Sequence, residues 1–573
     1  MRPLLLCLLT LLPLAAQRKG RVFLISLDGM GYQAFSEDAA AAELRTIKRL
    51  AGEGIYAPMQ AAFPSLTAPG HASIFTGFYG NVNGITANSI PISFEARANG
   101  FRSEQLRSEM FWVKAARAGV KSVAHNTTQG FPCNPFNSAA NVTLMNGYQT
   151  AQVAPEKLLH ASDVTWLDTA PVGFVLLEKS RQPVLYFRYS SGRIQFIGAV
   201  FAKGLRYDTI RMTALGGKRY VDATWKDGEP EHLRQSNRTR PLARYFSEAL
   251  PVANLTAIHF RLFDLSADGK EFLLYQTEGK EVSVCSDGET QATKFKERLL
   301  NTAGAFIGNG AGRFYQSGQL GKRNTDGLAE RRWMETLELH ARQSMRHTRA
   351  LLAEYDPRLL VDYISTADDL LHMWQPAAAQ GDRFIEPYRR WGYQIVDWRI
   401  EELKQILKSP DHLLIVSDHG MTAATHEIRV NTILQDLGYA DRVVAGAQFL
   451  RLKDRSDKAL LEEVKQKLSR IRDGETQVFT EWFWPAQSAV KYGIGGENGG
   501  DLYFDLAPGY ITTHELKQPA IMKFDDPHGV HGLLPTRSDM LALFIAHGPN
   551  LQSRPASMRT VDVAPLVLRL LGL

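Results

Sequence analysis

Short apolar runs recur along the chain, and each leads into acidic or histidine residues. Four examples are Val22–Leu27 before Asp28, Leu359–Ile364 before Asp368, 413–416 before Asp418 and His419, and 541–546 before His547. Continuous apolar runs of strand length are typical of strands buried on both faces, as in a parallel sheet covered by helices. The pattern therefore predicts a large buried sheet.

Helical patterns separate these runs. In residues 392–407, one apolar stripe is formed by Val396, Ile400, Leu403 and Leu407, at the spacing of an amphipathic helix. Alternating strands and helices predict an α/β fold with a doubly wound, mainly parallel sheet. The carboxyl ends of such strands meet at one crevice, so we expect Asp28, Asp368 and the 418–419 pair to converge there.

The middle of the chain has a different pattern. Short segments with alternating polar and apolar residues follow one another there, with turn dipeptides between them, which is typical of antiparallel hairpins. We predict a discontinuous catalytic domain formed by residues 18–165 and 310–573. Residues 166–309 are predicted to be a β-rich insertion, or cap, within it.

The first residues have the features of a secretory signal peptide, because Arg2 precedes a short apolar run that ends in small residues. We predict a signal peptide over residues 1–17 and a secreted or periplasmic protein; a signal anchor is the alternative. No later run is long enough to span a membrane. The formal net charge of +6 for 573 residues includes no long basic run, so no nucleic-acid-binding surface is predicted.

Cysteine is too scarce to hold a metal. Only Cys133 and Cys285 follow the predicted signal peptide; they could pair with each other, but they cannot form a thiolate site. Zinc would therefore require histidine and carboxylate ligands. Asp368 and His372 are four positions apart, so that a helix would present both on one face.

Residues 63–77 carry the sharpest local signal. Thr67 precedes Ala68 and Pro69, and proline is favoured in a first helical turn. A helix beginning there would direct free N–H groups at a phosphate held near Thr67. The alternative is that Thr67 only caps the helix. His71 lies within the same predicted helix and is interpreted as a packed or hydrogen-bonded side chain.

Six motifs occur in the order found in the alkaline phosphatase superfamily. They are LDGMG, FPSLTAPGHASIFTGFYGNVNGITAN, YISTADDLLH, IVSDHGM, GVHG and VDVAPLVLRLLGL. Within that superfamily the chain most resembles the type I phosphodiesterase/nucleotide pyrophosphatase group. The resemblance covers roughly residues 20–100 and 325–573 and omits most of the β-rich stretch.

The resemblance implies a hydrolase with two Zn²⁺ ions. One ion would be held by Asp368, His372 and His531, with His528 as the rival to His531. The other would be held by Asp28, Asp418, His419 and the nucleophile Thr67. Asn88 would donate to a phosphoryl oxygen, and the reaction would pass through a phosphothreonine.

The chain departs from the family pattern in places, although no implied ligand is lost. Leu371 replaces the glycine before the metal-binding histidine, Asn83 replaces a histidine, and Ala68 stands where nucleotide-hydrolysing members carry an aromatic residue. Related monoesterases carry a Lys-x-Arg pair after the position of Asn88, whereas residues 122–134 contain neither lysine nor arginine.

Because a monoester carries more negative charge than a diester, this composition favours a small phosphodiester or pyrophosphate substrate. A phosphomonoesterase and a phosphonate hydrolase are the alternatives. A non-catalytic metal- or ligand-binding protein on this scaffold is the alternative of another class. The sequence predicts no oligomeric state.

Overall fold

The computed structural model describes residues 20–176, 178–225, 245–252, 256–551 and 555–573. The predicted signal peptide, residues 1–17, lies outside this part. Within the described residues, no helix combines the length and the apolar character needed to cross a membrane.

In the described residues the largest sheet has nine strands. In chain order they are β1 Val22–Leu27, β2 Ile55–Gln60, β3 Ser122–His125, β4 Val142–Asn146, β5 Ser283–Cys285, β6 Leu359–Ile364, β7 His412–Val416, β8 Ala542–His547 and β9 Met558–Arg559. Their order across the sheet is β5-β4-β3-β6-β1-β7-β8-β2-β9.

Strands β4, β3, β6, β1 and β7 are mutually parallel, which confirms the predicted α/β class. Strand β8 is antiparallel to both its neighbours. An apolar run carries no information about strand direction, so the sequence could not reveal this reversal. The carboxyl ends of the five parallel strands therefore lie at one edge of the sheet, and that of β8 lies at the other.

Helices flank the sheet. They are α1 Tyr32–Glu37, α2 Arg45–Glu53, α3 Thr67–Thr76, α4 Gly80–Asn83, α5 Phe111–Arg117, α6 Glu289–Thr302, α7 Gly312–Gln316, α8 Leu328–Tyr355, α9 Thr366–Ala379, α10 Glu386–Ile406, α11 Val430–Asp436, α12 Lys458–Leu468, α13 Pro485–Tyr492 and α14 Val563–Leu570.

Alternate residues of the central strand β1 pack on opposite faces of the sheet. Val22 and Leu24 join an apolar cluster that includes residues of α3, α5 and α14. Phe23 and Ile25 join a second cluster with residues of α2, α8 and α10. The sheet is therefore covered on both sides, which explains why its strands are apolar throughout.

The middle of the chain forms small antiparallel sheets. A five-stranded sheet contains Thr165–Leu167, Leu185–Ser191, Ile194–Phe201, Thr209–Ala214 and Val221–Thr224, and a three-stranded sheet contains Lys157–His160, Phe260–Leu265 and Phe272–Gln276. Two strand pairs are Gln152–Ala154 with Gly279–Lys280 and Leu250–Val252 with Thr256–Ile258. Helix α6 follows, and a disulfide between Cys133 and Cys285 ties edge strand β5 to the loop after β3.

Smaller sheets also border the carboxyl end of the chain. One contains Thr422–Arg429, Tyr510–Thr513 and Ile521–Val530, and another contains Val443–Ala445, Phe449–Leu452, Phe479–Phe483 and Leu502–Leu506. Short hairpins are formed by Ser89–Pro91 with Arg97–Asn99 and by Arg472–Asp473 with Thr476–Gln477. The strand Ile521–Val530 packs on α9 and leads directly into His531.

Candidate metal centre

The first group of candidate ligands lies where β1 and β7 end. Asp28 follows β1 directly, and Asp418 and His419 follow β7. The His419 Nε2 atom is 3.4 Å from Asp28 Oδ1 and 3.1 Å from Asp418 Oδ2. All three side chains are buried. The strand topology thus brings together the residues that the apolar runs predicted to converge.

Thr67 is the first residue of α3, and its hydroxyl oxygen lies 3.2 Å from His419 Nε2. The N-cap of the helix is Leu66, and no side chain caps the first turn. The alternative that Thr67 serves only as a cap is therefore wrong. Its hydroxyl instead faces the group formed by Asp28, Asp418 and His419.

The second group lies beside the first. Asp368 and His372 are on one face of α9, with His372 Nε2 3.4 Å from Asp368 Oδ2. His531 completes this group, and its ring stacks on that of His419 with the ring centroids 3.7 Å apart. The rival His528 packs against Phe524 instead. The structure therefore brings the six predicted histidine and aspartate ligands together in two adjacent clusters of three, with Thr67 beside one of them.

Each of the three imidazoles is oriented by a backbone carbonyl. The Nδ1–H of His372 donates to the Gly529 carbonyl at 2.7 Å, that of His419 to Gly420 at 2.9 Å, and that of His531 to Ser65 at 2.9 Å. A carbonyl only accepts, so Nδ1 of each ring carries a proton, and Nε2 is the ring atom left to bind a cation. This is the usual arrangement of histidines that bind a metal.

Buried carboxylate oxygens provide a direct test of whether a cation fits. Asp28 Oδ1, Asp368 Oδ1 and Asp418 Oδ2 are buried and accept no hydrogen bond from any described residue. A buried charged oxygen without a partner is costly. A divalent cation in the first cluster would satisfy Asp28 Oδ1 and Asp418 Oδ2, and one in the second would satisfy Asp368 Oδ1. Histidine nitrogens with carboxylate oxygens form a donor set suited to zinc. The residues present therefore fit the metal that the sequence implied.

The charges in the cluster conflict when no cation is present. Burial raises the pKa of Asp28 well above its usual range, and the carboxylates of Asp418 and Asp368 raise it further. Burial and the neighbouring His419 lower the pKa of His531 to about 3. A cation in the first cluster would favour the ionised form of Asp28, and the neutral form of His531 is the form that binds a metal.

Asn88 adjoins the nucleophile through the backbone. Its side-chain oxygen accepts a hydrogen bond from the Ala68 N–H at 2.9 Å, so its amide N–H groups remain available. Asn88 is half-buried. This geometry is compatible with a side chain that donates to an oxygen held near Thr67.

Two further side-chain contacts lie at the site. The contact of Tyr363 was not predicted from the sequence, whereas His71 is hydrogen-bonded as predicted. The Tyr363 hydroxyl donates to Asp28 Oδ2, leaving the other carboxylate oxygen unpartnered. His71 donates from Nδ1 to the Thr67 carbonyl at 2.9 Å and contacts Ser26 through Nε2. A tyrosine near the end of β6, next to Asp362 in a strand of otherwise apolar residues, was the available signal for the first contact.

The structure thus combines a mixed α/β fold with two adjacent clusters of candidate metal ligands. The family model of type I phosphodiesterase/nucleotide pyrophosphatase matches residues 22–188 and 287–534, so the chain belongs to this family of phosphoric ester hydrolases. The unmatched residues 189–286 include most strands of the small antiparallel sheets that the middle of the chain forms.

Solved structures are similar over nearly the whole chain. Phosphonoacetate hydrolase from Sinorhizobium meliloti 1021, in complex with phosphonoformate, has a TM-score of 0.50 and 14% identity, covering 96% of each chain. Human ectonucleotide pyrophosphatase/phosphodiesterase 5 has a TM-score of 0.48 and 14% identity, covering 96% of this chain and 95% of that one. At 14% identity, the similarity to phosphonoacetate hydrolase concerns the fold alone. No curated protein sequence matches significantly.

Proposed function

We propose that the protein is a secreted or periplasmic, zinc-dependent hydrolase of phosphodiester or pyrophosphate bonds, with Thr67 as nucleophile. The observation that carries the proposal is the position of the Thr67 hydroxyl, 3.2 Å from His419 Nε2 and next to two clusters of unsatisfied ligand atoms. Asp28, Asp418 and His419 would hold one ion with Thr67. Asp368, His372 and His531 would hold the other.

Bound zinc would supply Lewis-acid chemistry, lowering the pKa of a hydroxyl or water and offsetting charge on phosphoryl oxygens. The Thr67 oxygen loses its hydroxyl proton and attacks phosphorus, forming a P–Oγ1 bond while the bond to the leaving oxygen breaks and that oxygen takes up a proton. The Asn88 amide and the Thr67 backbone N–H hold the phosphoryl oxygens. Water then attacks the phosphothreonine, restoring Thr67 and releasing the product.

The surroundings of the nucleophile support a diester rather than a monoester substrate. The segment after β3 contacts the start of α3 through Gln129, and residues 122–134 contain no lysine or arginine. After burial, neighbouring histidines and carboxylates have the largest effects on the pKa values of Asp28, Asp368 and Asp418. Such a site has little spare positive charge for a dianionic terminal phosphate.

The test compares zinc-loaded wild type with Thr67→Ala on aryl phosphodiesters, aryl phosphomonoesters and a phosphonate. We expect diester turnover to exceed monoester and phosphonate turnover. The variant should lose at least about 1,000-fold in kcat, the order of magnitude for a missing nucleophile. Monoester or phosphonate preference would overturn the substrate class. A fully active variant would overturn the nucleophile, and a zinc-loaded wild type inert on all three would overturn the function.

A further inference from the structure

Gln129 is a buried residue with an unusual backbone conformation beside the nucleophile. It follows β3 in the loop at the carboxyl edge of the sheet, has no exposed surface, and has a φ angle of 53°. Few residues other than glycine adopt such a φ angle, which costs on the order of 1–3 kcal/mol. Strain of this kind persists only where surrounding contacts enforce it.

The Gln129 side chain satisfies both of its polar ends. Its amide nitrogen donates to the Gly100 carbonyl at 2.6 Å and to the Ala68 carbonyl at 3.3 Å. Its amide oxygen accepts from the Thr128 hydroxyl at 2.8 Å. Because both carbonyls require a donor, the amide has only one orientation.

Asn88 contacts the same two residues from the other direction. Its side-chain oxygen accepts from the Ala68 N–H at 2.9 Å, and its carbonyl accepts from the Gly100 N–H at 2.8 Å. Gln129 and Asn88 therefore hold Ala68 and Gly100 between them. A Cβ atom on Gly100 would lie 2.1 Å from the Ala87 carbonyl, so this arrangement has no free space.

We propose that Gln129 is a positioning residue that fixes the Asn88 amide relative to the Thr67 hydroxyl. Without the Gln129 amide, the Ala68 and Gly100 carbonyls lose a shared donor, and the Asn88 loop can move away from α3. This inference rests on the proposed function, in which Asn88 donates to the phosphoryl group. Gln129 itself acts through Asn88 and does not contact substrate.

The test is a double-mutant cycle with Gln129→Met and Asn88→Ala, measured as kcat/KM on the zinc-loaded protein. The matched control is Gln276→Met. Gln276 is also buried, donates twice from its amide nitrogen and accepts a hydroxyl at its amide oxygen, but it lies in the three-stranded sheet. Zinc content and the urea midpoint are recorded for every variant.

We expect Gln129→Met to lower kcat/KM by about 10–100-fold, as for a catalytic group displaced by about 1 Å. Asn88→Ala should lower it by about 100-fold or more. The double variant should equal Asn88→Ala within about 3-fold, and zinc content should stay unchanged. Gln276→Met should keep wild-type activity at a similar loss of stability.

Multiplicative losses in the cycle, or a loss that follows zinc content, would overturn the positioning role. If Gln129→Met does not fold, Thr128→Val provides the same cycle, because it removes only the hydroxyl that donates to the amide oxygen. It should give a smaller loss that disappears in the Asn88→Ala background. An inert wild type would contradict the proposed function, whereas an active wild type with multiplicative losses contradicts only the role of Gln129.

Discussion

The buried histidine His347 on α8 makes the stability of the protein sensitive to acid. Its Nε2–H donates to the Gly304 carbonyl at 2.9 Å, while Nδ1 is buried and has no hydrogen-bond partner among the described residues. Burial, with a further contribution from the charge of His125, lowers the pKa of His347 from 6.5 to about 3. The folded protein therefore keeps this ring neutral where the unfolded chain protonates it.

The sign of the effect follows from proton binding. Below pH 6.5 the unfolded state takes up a proton that the folded state refuses until about pH 3, so stability is lost as the pH falls across this interval. Each pH unit is equivalent to about 1.4 kcal/mol per proton. At pH 5.0, about 1.5 units below the unfolded pKa, His347 should cost about 2 kcal/mol relative to pH 7.5.

Urea unfolding of wild type and His347→Gln measures this contribution, because all other titrating groups are common to both proteins. The free energy of unfolding of wild type minus that of the variant should be about 2 kcal/mol smaller at pH 5.0 than at pH 7.5. It should be constant between pH 7.5 and 8.5, where the ring is neutral in both states. A difference that does not change with pH would mean that the pKa of His347 is the same in the folded and unfolded states.

Two further predictions concern a close backbone contact at the site and a buried ion pair. Gly70→Ala would place a Cβ 2.9 Å from Asp418 Cβ, which should displace the helix that carries Thr67 and lower kcat/KM by about 100-fold. The control Gly52→Ala, with open space around the new Cβ, should leave kcat/KM unchanged. Equal activity of the two variants would contradict this prediction. Arg399→Met removes the guanidinium that lies 2.8 Å from both oxygens of the buried Asp362. Urea unfolding should show a loss of about 3–5 kcal/mol, because the buried carboxylate would keep only His125 and Thr348 as partners. A loss below about 1 kcal/mol would mean that these two partners are sufficient to compensate the charge.

Patterns in the chain were sufficient to predict much of the fold and the position of the candidate ligands. Parallel strands end at one edge of a sheet, so Asp28 and Asp418 could be expected to approach each other although they are far apart in sequence. The resemblance to the family added His531 and Asn88, which no local pattern distinguishes from structural residues. Those assignments remain proposals about metal binding and catalysis.

Other features depend on tertiary contacts that a linear pattern does not contain. Glutamine has no local preference for the left-handed backbone conformation of Gln129. That conformation accompanies hydrogen bonds from the Gln129 side-chain amide to two carbonyls that the fold brings close to it. The hydrogen bond from Tyr363 to Asp28 likewise requires β1 and β6 to be neighbours. The direction of β8 is set by its connections, since its apolar composition would suit either orientation.

Hydrolysis by the proposed route passes through a covalent bond to Thr67, and the stereochemistry at phosphorus distinguishes this route from direct attack by water. A phosphorothioate diester of known chirality is hydrolysed in ¹⁸O-labelled water, and the configuration of the product is determined. Two successive in-line displacements, first by Thr67 and then by water, predict net retention. Net inversion would mean that water attacks the substrate directly, which would contradict the assignment of Thr67 as nucleophile.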